Sequence, residues 1–197
     1  VRTSEYQNRS LALAGNFNLT NVDYLFQKLV ELGQHPKFMT DTETVLERIG
    51  HFLDVAHDHL FNKFKKEGYS PAEISQLISE DISPSKIMKN SAKAWDGGYV
   101  IGGMIGNGDA FVVRDPNGIR PAFFYHNEEF LVAASERATI STVFGLAHDE
   151  IMELNPGHIL SVKAGSGKIK VKPFTEPQKK LSCSFERIYF SRGSDGE

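Results

Sequence analysis

The apolar pattern changes period between residues 95 and 97, and that change limits the possible folds more than any other feature. From residue 20 to residue 95 hydrophobic side chains recur at helical spacing; from Gly97 onwards, extended runs are broken by turn residues. Val22, Leu25, Phe26, Leu29 and Val30 form one helical face, which Thr20 or Asn21 can cap and Gly33 can end. A capping box at Thr40–Glu43 opens a second helix, with Val45, Leu46, Ile49, Phe52, Leu53, Ala56 and Leu60 in its stripe, running to about Lys66 with Gly68 just past it. Ser70–Glu73, with Pro71 at the first helical position, starts a third helix, and residues 83–95 read as a fourth. The stretch "GGYVIGGMIGNGDAFVVRDP" then reads as a hairpin turning at Asn107-Gly108. A second hairpin, "PAFFYHNEEFLVAAS", turns at His126-Asn127; "ERATISTVFG" is a helix; "GHILSVKAGSGKIKVKPF" is a third hairpin turning at Gly165–Gly167. Residues 173–182 make a polar connector, and "SCSFERIYFSR" is expected to be a final strand leading out. Helices first and antiparallel strands afterwards predict an α+β layered fold.

Composition narrows the function classes. The chain has 197 residues, enough for one domain or two small ones, and a net charge of -3 that favours neither nucleic acid nor a membrane surface as partner. Cys183 is the single cysteine, so no internal disulfide forms; this leans towards a reducing, cytoplasmic setting.

Four groups of residues could carry chemistry. "LALAGNFNLTN", residues 11–21, reads as a strand entering a tight polar corner, because Gly15, Asn16 and Asn18 tolerate positive φ. Such a corner is either an ordinary Asn-rich turn or an oxyanion hole built from a side-chain amide and a neighbouring backbone N–H. Asp41, at the mouth of the second helix, either complements the positive helix end or binds a substrate ammonium group. In "RDPNGIRP", Pro116, Asn117 and Gly118 form a tight turn with Arg114, Asp115 and Arg120 around it, braced by a local ion pair. His51, Asp54 and Asp58 share a helical face, and His57-Asp58 matches the pair used by metal-dependent phosphohydrolases. No matching ligands follow elsewhere, so this group reads as a solvated helix face.

Taken in order, "LALAGNFNLTN", "TDTE", "RDPNGIRP", "ASE" (134–136), "LNPGHIL" (154–160) and "CSFERIYFSR" (183–192) resemble the glutaminase domain of class II glutamine amidotransferases, and most nearly its amidophosphoribosyltransferase branch. The resemblance implies a four-layer αββα sandwich of the N-terminal nucleophile hydrolase type, with two antiparallel sheets face to face and helices outside. It implies that the Asn16 side chain and the Phe17 backbone N–H stabilise the oxyanion, and that Asp41 binds the α-ammonium of glutamine. Residues 1–182 would be the glutaminase domain, and 183–197 the start of the segment leading to a phosphoribosyltransferase domain outside this chain. Phosphoribosyl pyrophosphate and Mg2+ would belong to that domain. The resemblance further implies purine synthesis, a cytoplasmic homo-oligomer, and no cofactor in the glutaminase domain. Cys183 is either a small buried hydrophobe or, as in some members of the family, an iron–sulfur ligand with partners downstream.

Departures from the family pattern set further expectations. The usual His-Asn-Gly-Asn corner is here Gly15-Asn16-Phe17-Asn18, so a corner needing positive φ would strain Phe17. The usual Arg-Pro-Asp-Ser is here Arg192-Gly193-Ser194-Asp195. These enzymes attack glutamine with a cysteine that is the first residue of the mature chain, its own α-amine accepting the proton. Val1 cannot do this, and Cys183 has no free α-amine. The domain is therefore expected to be incomplete at its N-terminus and the 197-residue chain alone to be inactive. A non-catalytic binding or regulatory module is the alternative reading.

Overall fold

The computed structural model describes residues 1–181 and Ser184. The expected final strand in "SCSFERIYFSR", Cys183 and the boundary at 182–183 lie outside the described residues. After a short 3-10 turn at Gln7–Arg9 come β1 (Leu11–Leu19), α1 (Val22–Glu31), α2 (Asp41–Lys66), α3 (Pro71–Asp81) and α4 (Pro84–Ser91). The second half contains β2 (Gly97–Ile105), β3 (Ala110–Arg114), β4 (Phe123–His126), β5 (Leu131–Ala134), α5 (Arg137–Phe144), β6 (Met152–Glu153), β7 (His158–Val162) and β8 (Ile169–Pro173). Apart from β1 at the start and α5 between β5 and β6, helices precede antiparallel strands, compatible with the α+β expectation.

The helices follow the periodic stripes, with local corrections. On α2, Val45, Ile49, Leu53 and Phe64 are buried, and burying such a side chain contributes about 1.5–3 kcal/mol. Ser70 and Glu73 close the capping box of α3, with Pro71 at its first position. α4 is shorter than expected: it ends at Ser91, where buried Arg48 donates to the carbonyls of Ser91 and Lys93 (2.7 and 3.1 Å). Asn21 does not cap α1; its side chain instead ties to the 94–96 loop, donating to Ala94 O and accepting from Asp96 N–H. The histidine face of α2 is not solvated throughout. Arg2 binds Asp54, Arg9 binds Asp58, and Arg9 Nε donates to His57 Nδ1, so the segment before β1 covers this face and His57 is buried. Burial, together with the Arg9 charge, holds the His57 imidazole below its usual pKa.

The strands form two antiparallel sheets, ordered β1-β2-β3-β7-β8 and β5-β4-β6. β1 pairs with β2 along its whole length, from Leu11 opposite Ile105 to Leu19 opposite Gly97. The polar corner expected at Gly15–Asn18 is therefore absent. No residue there has positive φ, and Phe17 is extended without strain. A nine-residue ladder outweighs the turn tolerance of Gly and Asn, and the chain turns only at Thr20–Asn21. Gly15 serves close approach instead: a Cβ there would lie 2.6 Å from Val100 O. The second hairpin also turns later than expected, where Asn127 Oδ1 accepts from the N–H groups of Glu129 and Phe130 (both 2.9 Å).

Side-chain alternation gives the large sheet two apolar faces. Leu11, Leu19, Tyr99, Ile101, Phe111 and Val113, with Leu13 and Phe17 packed on them, join the helices in the main core. On the opposite face Val100 and Val112 meet Ala122, Phe124, Leu154 and Leu160. A third cluster, Phe123, Ile140 and Ile151, joins the small sheet to α5.

Between β3 and β4 the "RDPNGIRP" turn is built around a buried carboxylate. Asp115 accepts from the N–H groups of Tyr99, Asn117, Ile119 and Arg120 at 3.0–3.3 Å. Gly118, at φ 62, supplies the left-handed residue the turn requires. Arg114 does not pair with Asp115, as a local brace would. It donates to Glu153 and Leu154 O (both 2.6 Å) and to Arg120 O (2.7 Å), joining the turn to the start of "LNPGHIL". Burial pushes the Glu153 carboxyl up, but Arg114 and Lys180 outweigh it and hold the group below its ordinary 4.5.

Two outcomes follow for stability. Asp115→Ala strands four N–H donors and should cost at least about 3 kcal/mol in urea unfolding, with its slope unchanged. Because the folded pKa of Glu153 is depressed, its contribution is complete above the ordinary value of 4.5 and is lost as pH falls through the lower folded value. The stability gap between wild type and Glu153→Gln, followed by urea midpoints, should close on acidification.

Candidate functional site

The hydrogen-bond parity of β1 decides what its outer edge offers. Thr20 N–H donates to Asp96 O, Gly106 N–H to Ser10 O, and Asp115 N–H to Tyr99 O, each at 2.8 Å. Bonded pairs alternate along an antiparallel ladder. In this register the even-numbered residues of β1 exchange bonds with β2, and the odd-numbered ones direct N–H and C=O away from it. β1 is the edge strand of its sheet, so those groups face outwards. Leu11 satisfies its pair by bonding Arg2 in both directions at 2.8 Å, and Leu19 N–H donates to Asp41 Oδ2 at 3.4 Å. Between them, the N–H groups of Leu13, Gly15 and Phe17 meet no acceptor among the described residues.

Asp41 reaches this edge because α2 starts there. Thr40 caps the helix, its side chain accepting from Glu43 N–H at 3.2 Å, which makes Asp41 the first helical residue. Only half of the expected capping box forms: the Glu43 carboxylate accepts from Lys37 N–H, not from Thr40. Phe17 and Leu19 are two strand residues apart, about 7 Å. A carboxylate and an unpaired N–H donor therefore share one strand edge, with Gly15 N–H the next donor along.

Asn16 takes a different position. Its backbone is bonded to β2, and its exposed side chain stands on the sheet face opposite the Phe17 ring. It makes no side-chain hydrogen bond among the described residues. The structure thus brings Phe17 N–H and Asp41 to one edge and sets the Asn16 amide beside that edge, out of the plane of the ladder. Sequence reasoning missed the edge itself. A signal was present: Leu11, Leu13, Phe17 and Leu19 alternate with small or polar residues, a period of two that runs straight through the supposed corner.

The remaining candidates fall elsewhere. His57 Nδ1 accepts from Arg9, and no group of three His, Cys, Asp or Glu side chains among the described residues could hold a metal ion. No described helix is long and apolar enough to cross a membrane. "RDPNGIRP" supports the site from behind: Tyr99, opposite Phe17, is held on its far side by Asp115, which accepts its N–H and donates to its C=O.

No family model matches the chain. It is 28% identical over 190 residues to the amidophosphoribosyltransferase of Methanothermobacter thermautotrophicus, covering 96% of this chain and 33% of that protein. To the Bacillus subtilis amidophosphoribosyltransferase it is 29% identical over 188 residues, 94% and 32% of the two chains. Among solved structures, it superposes on the B. subtilis glutamine phosphoribosylpyrophosphate amidotransferase complexed with ADP and GMP with a TM-score of 0.69 at 28% identity, over 100% of this chain and 36% of that one. A structure described as the allosteric regulatory enzyme of purine biosynthesis gives 0.66 at 29% identity, over 97% and 37%. The chain spans about a third of the length of the curated relatives it matches. Sequence relatives and fold neighbours together are consistent with a class II glutamine amidotransferase domain. They are one particular enzyme, amidophosphoribosyltransferase, aligned through its N-terminal glutaminase region, so the resemblance read from the sequence stands.

Residue-resolved amide hydrogen exchange tests the edge directly. The amides of Asn16 and Asn18 should be protected, and those of Gly15 and Phe17 should exchange at least about a hundredfold faster, because only the former sit in the ladder.

Proposed function

We propose that this chain is the glutaminase domain of a class II glutamine amidotransferase of the amidophosphoribosyltransferase type. In this reading it takes part in hydrolysing glutamine to glutamate and ammonia, and the ammonia passes to phosphoribosyl pyrophosphate in a separate domain, in purine synthesis. The observation that carries the reading is the unpaired Phe17 N–H beside the Asp41 carboxylate on one strand edge. These are the positions where the family resemblance puts an oxyanion donor and an ammonium acceptor. The relatives' names support the same reading.

The chemistry follows from the geometry. Asp41 accepts from the substrate α-ammonium, a charge-assisted bond of about 1.5–3 kcal/mol. Leu19 N–H orients that carboxylate. About 7 Å along the edge, Phe17 N–H meets the side-chain carbonyl oxygen as negative charge develops on it. The Asn16 amide is the second donor. Losing one such donor typically costs about 2.7–4 kcal/mol of barrier. Bonds from the even-numbered residues to β2 fix the strand beforehand, so the donor needs no rearrangement during the reaction. Neither Mg2+ nor an iron–sulfur cluster enters this reading of residues 1–181. The same proposal takes the layers as an αββα sandwich, supported by the three apolar clusters on successive faces.

Glutamine binding to this chain, followed by calorimetry, tests the assignment independently of turnover. Glutamine should bind in preference to leucine, and Asp41→Asn should weaken it about tenfold or more. Equal binding of the two amino acids, or an unchanged affinity in Asp41→Asn, would overturn it.

A further inference from the structure

At the other end of the sheet, beside the Asn107-Gly108 turn, lies a polar cavity of about 320 Å³ that the proposed glutamine chemistry does not use. The sheet order β1-β2-β3-β7-β8 puts the cavity's hairpin wall at the edge of the sheet opposite β1. The cavity lies between the start of α4 and the β7–β8 hairpin. Lys168, Lys170 and Lys172 alternate along the hairpin's second arm, so their side chains share one face about 7 Å apart. None of the three has a carboxylate in ion-pairing range among the described residues. Lys163 is already committed, donating to Asp109 Oδ2 at 2.6 Å and to Ser79 O at 2.5 Å. Four lysines against Glu80, Asp81 and Asp109 leave the lining net positive.

The opposite wall supplies directed donors. α4 begins with Pro84, which has no N–H, so Ser85 carries the first free backbone donor of the helix. Lys86 and Ile87 N–H both bond Ser83 O, while Ser85 N–H has no partner among the described residues. The Ser85 side chain is only 8% exposed, lines the cavity, and makes no hydrogen bond among the described residues. The hydroxyl is not one of the fully buried unpartnered polar atoms, so it is open to whatever fills the cavity. Here it stands beside a free N–H at a positive helix end, facing three unpaired ammonium groups.

We propose that this cavity binds a phosphate group, free or as a phosphate ester. Phosphate offers several acceptor oxygens and up to two negative charges. It can take the Ser85 hydroxyl and N–H on one side and lysine ammonium groups on the other. The volume leaves room for the organic part of a small ester.

The test is titration of the 197-residue chain with inorganic phosphate and with glycerol 3-phosphate, at ionic strength held constant with chloride. Saturable binding is expected, weakened about tenfold or more in Lys170→Gln/Lys172→Gln and several-fold in Ser85→Ala. Tighter binding of the ester would assign the cavity to phosphorylated metabolites, and equal binding would assign it to the oxyanion alone. The two lysines are exposed, so their double variant should keep the wild-type melting temperature even if Ser85→Ala does not. Absence of saturable binding, or wild-type affinity in the lysine variant, would overturn the proposal. Glutamine binding should be unaffected in either variant, which separates this site from the strand edge.

Discussion

The carboxylate of Asp115 holds together the parts of the molecule that the site depends on. It accepts four backbone N–H groups, three from its own turn and one from Tyr99 on β2. A buried anion is costly unless its lone pairs are filled, and here the backbone itself fills them. The same turn takes up the outgoing chain, with Pro116 O and Asn117 O accepting from Gln178 and Leu181. Arg114 then links it to Glu153 and Leu154, at the edge of the small sheet. One side chain therefore fixes the turn and β2 near its start, at Tyr99, and its neighbour Arg114 extends that hold to the second sheet.

The same arrangement holds β1 from the β2 side. β1 is bonded to β2 along its length, and β2 is held from behind at Tyr99, directly opposite Phe17. Arg2 closes one end of the edge and Asp41 the other. The exposed donors between them are held in position by bonds on the far side of the strand, which is the form of preorganisation that stabilisation of a developing charge requires.

Asp41 and Asp54 show how one helix serves two ends. α2 begins at the β1 edge with Asp41, and farther along presents Asp54, His57 and Asp58 to the arginines of the segment before β1. The histidine group that resembled a metal pair is thus a clasp for Arg2 and Arg9. Its chemistry is decided by which residues fold over it, and those lie more than forty positions away in sequence.

The sequence by itself determined the elements whose signals are local. Helical spacing marked α1 to α3, Ser70-Pro71 marked the start of α3, and Asn107-Gly108 marked the β2–β3 turn, because capping and turn chemistry act over three or four residues. Motif order also carried the family resemblance, since it survives without any knowledge of contacts. Only the tertiary structure decided the rest. Gly15–Asn18 have turn-tolerant residues, yet they lie in a strand because β2 pairs with every one of them. Whether Phe17 N–H is spent in a ladder or left open depends on register, a property of two strands some eighty residues apart. Asp115 likewise met Tyr99 and not Arg114, because a carboxylate takes the donors that folding brings within 3 Å or so, whatever charge stands next to it in the chain.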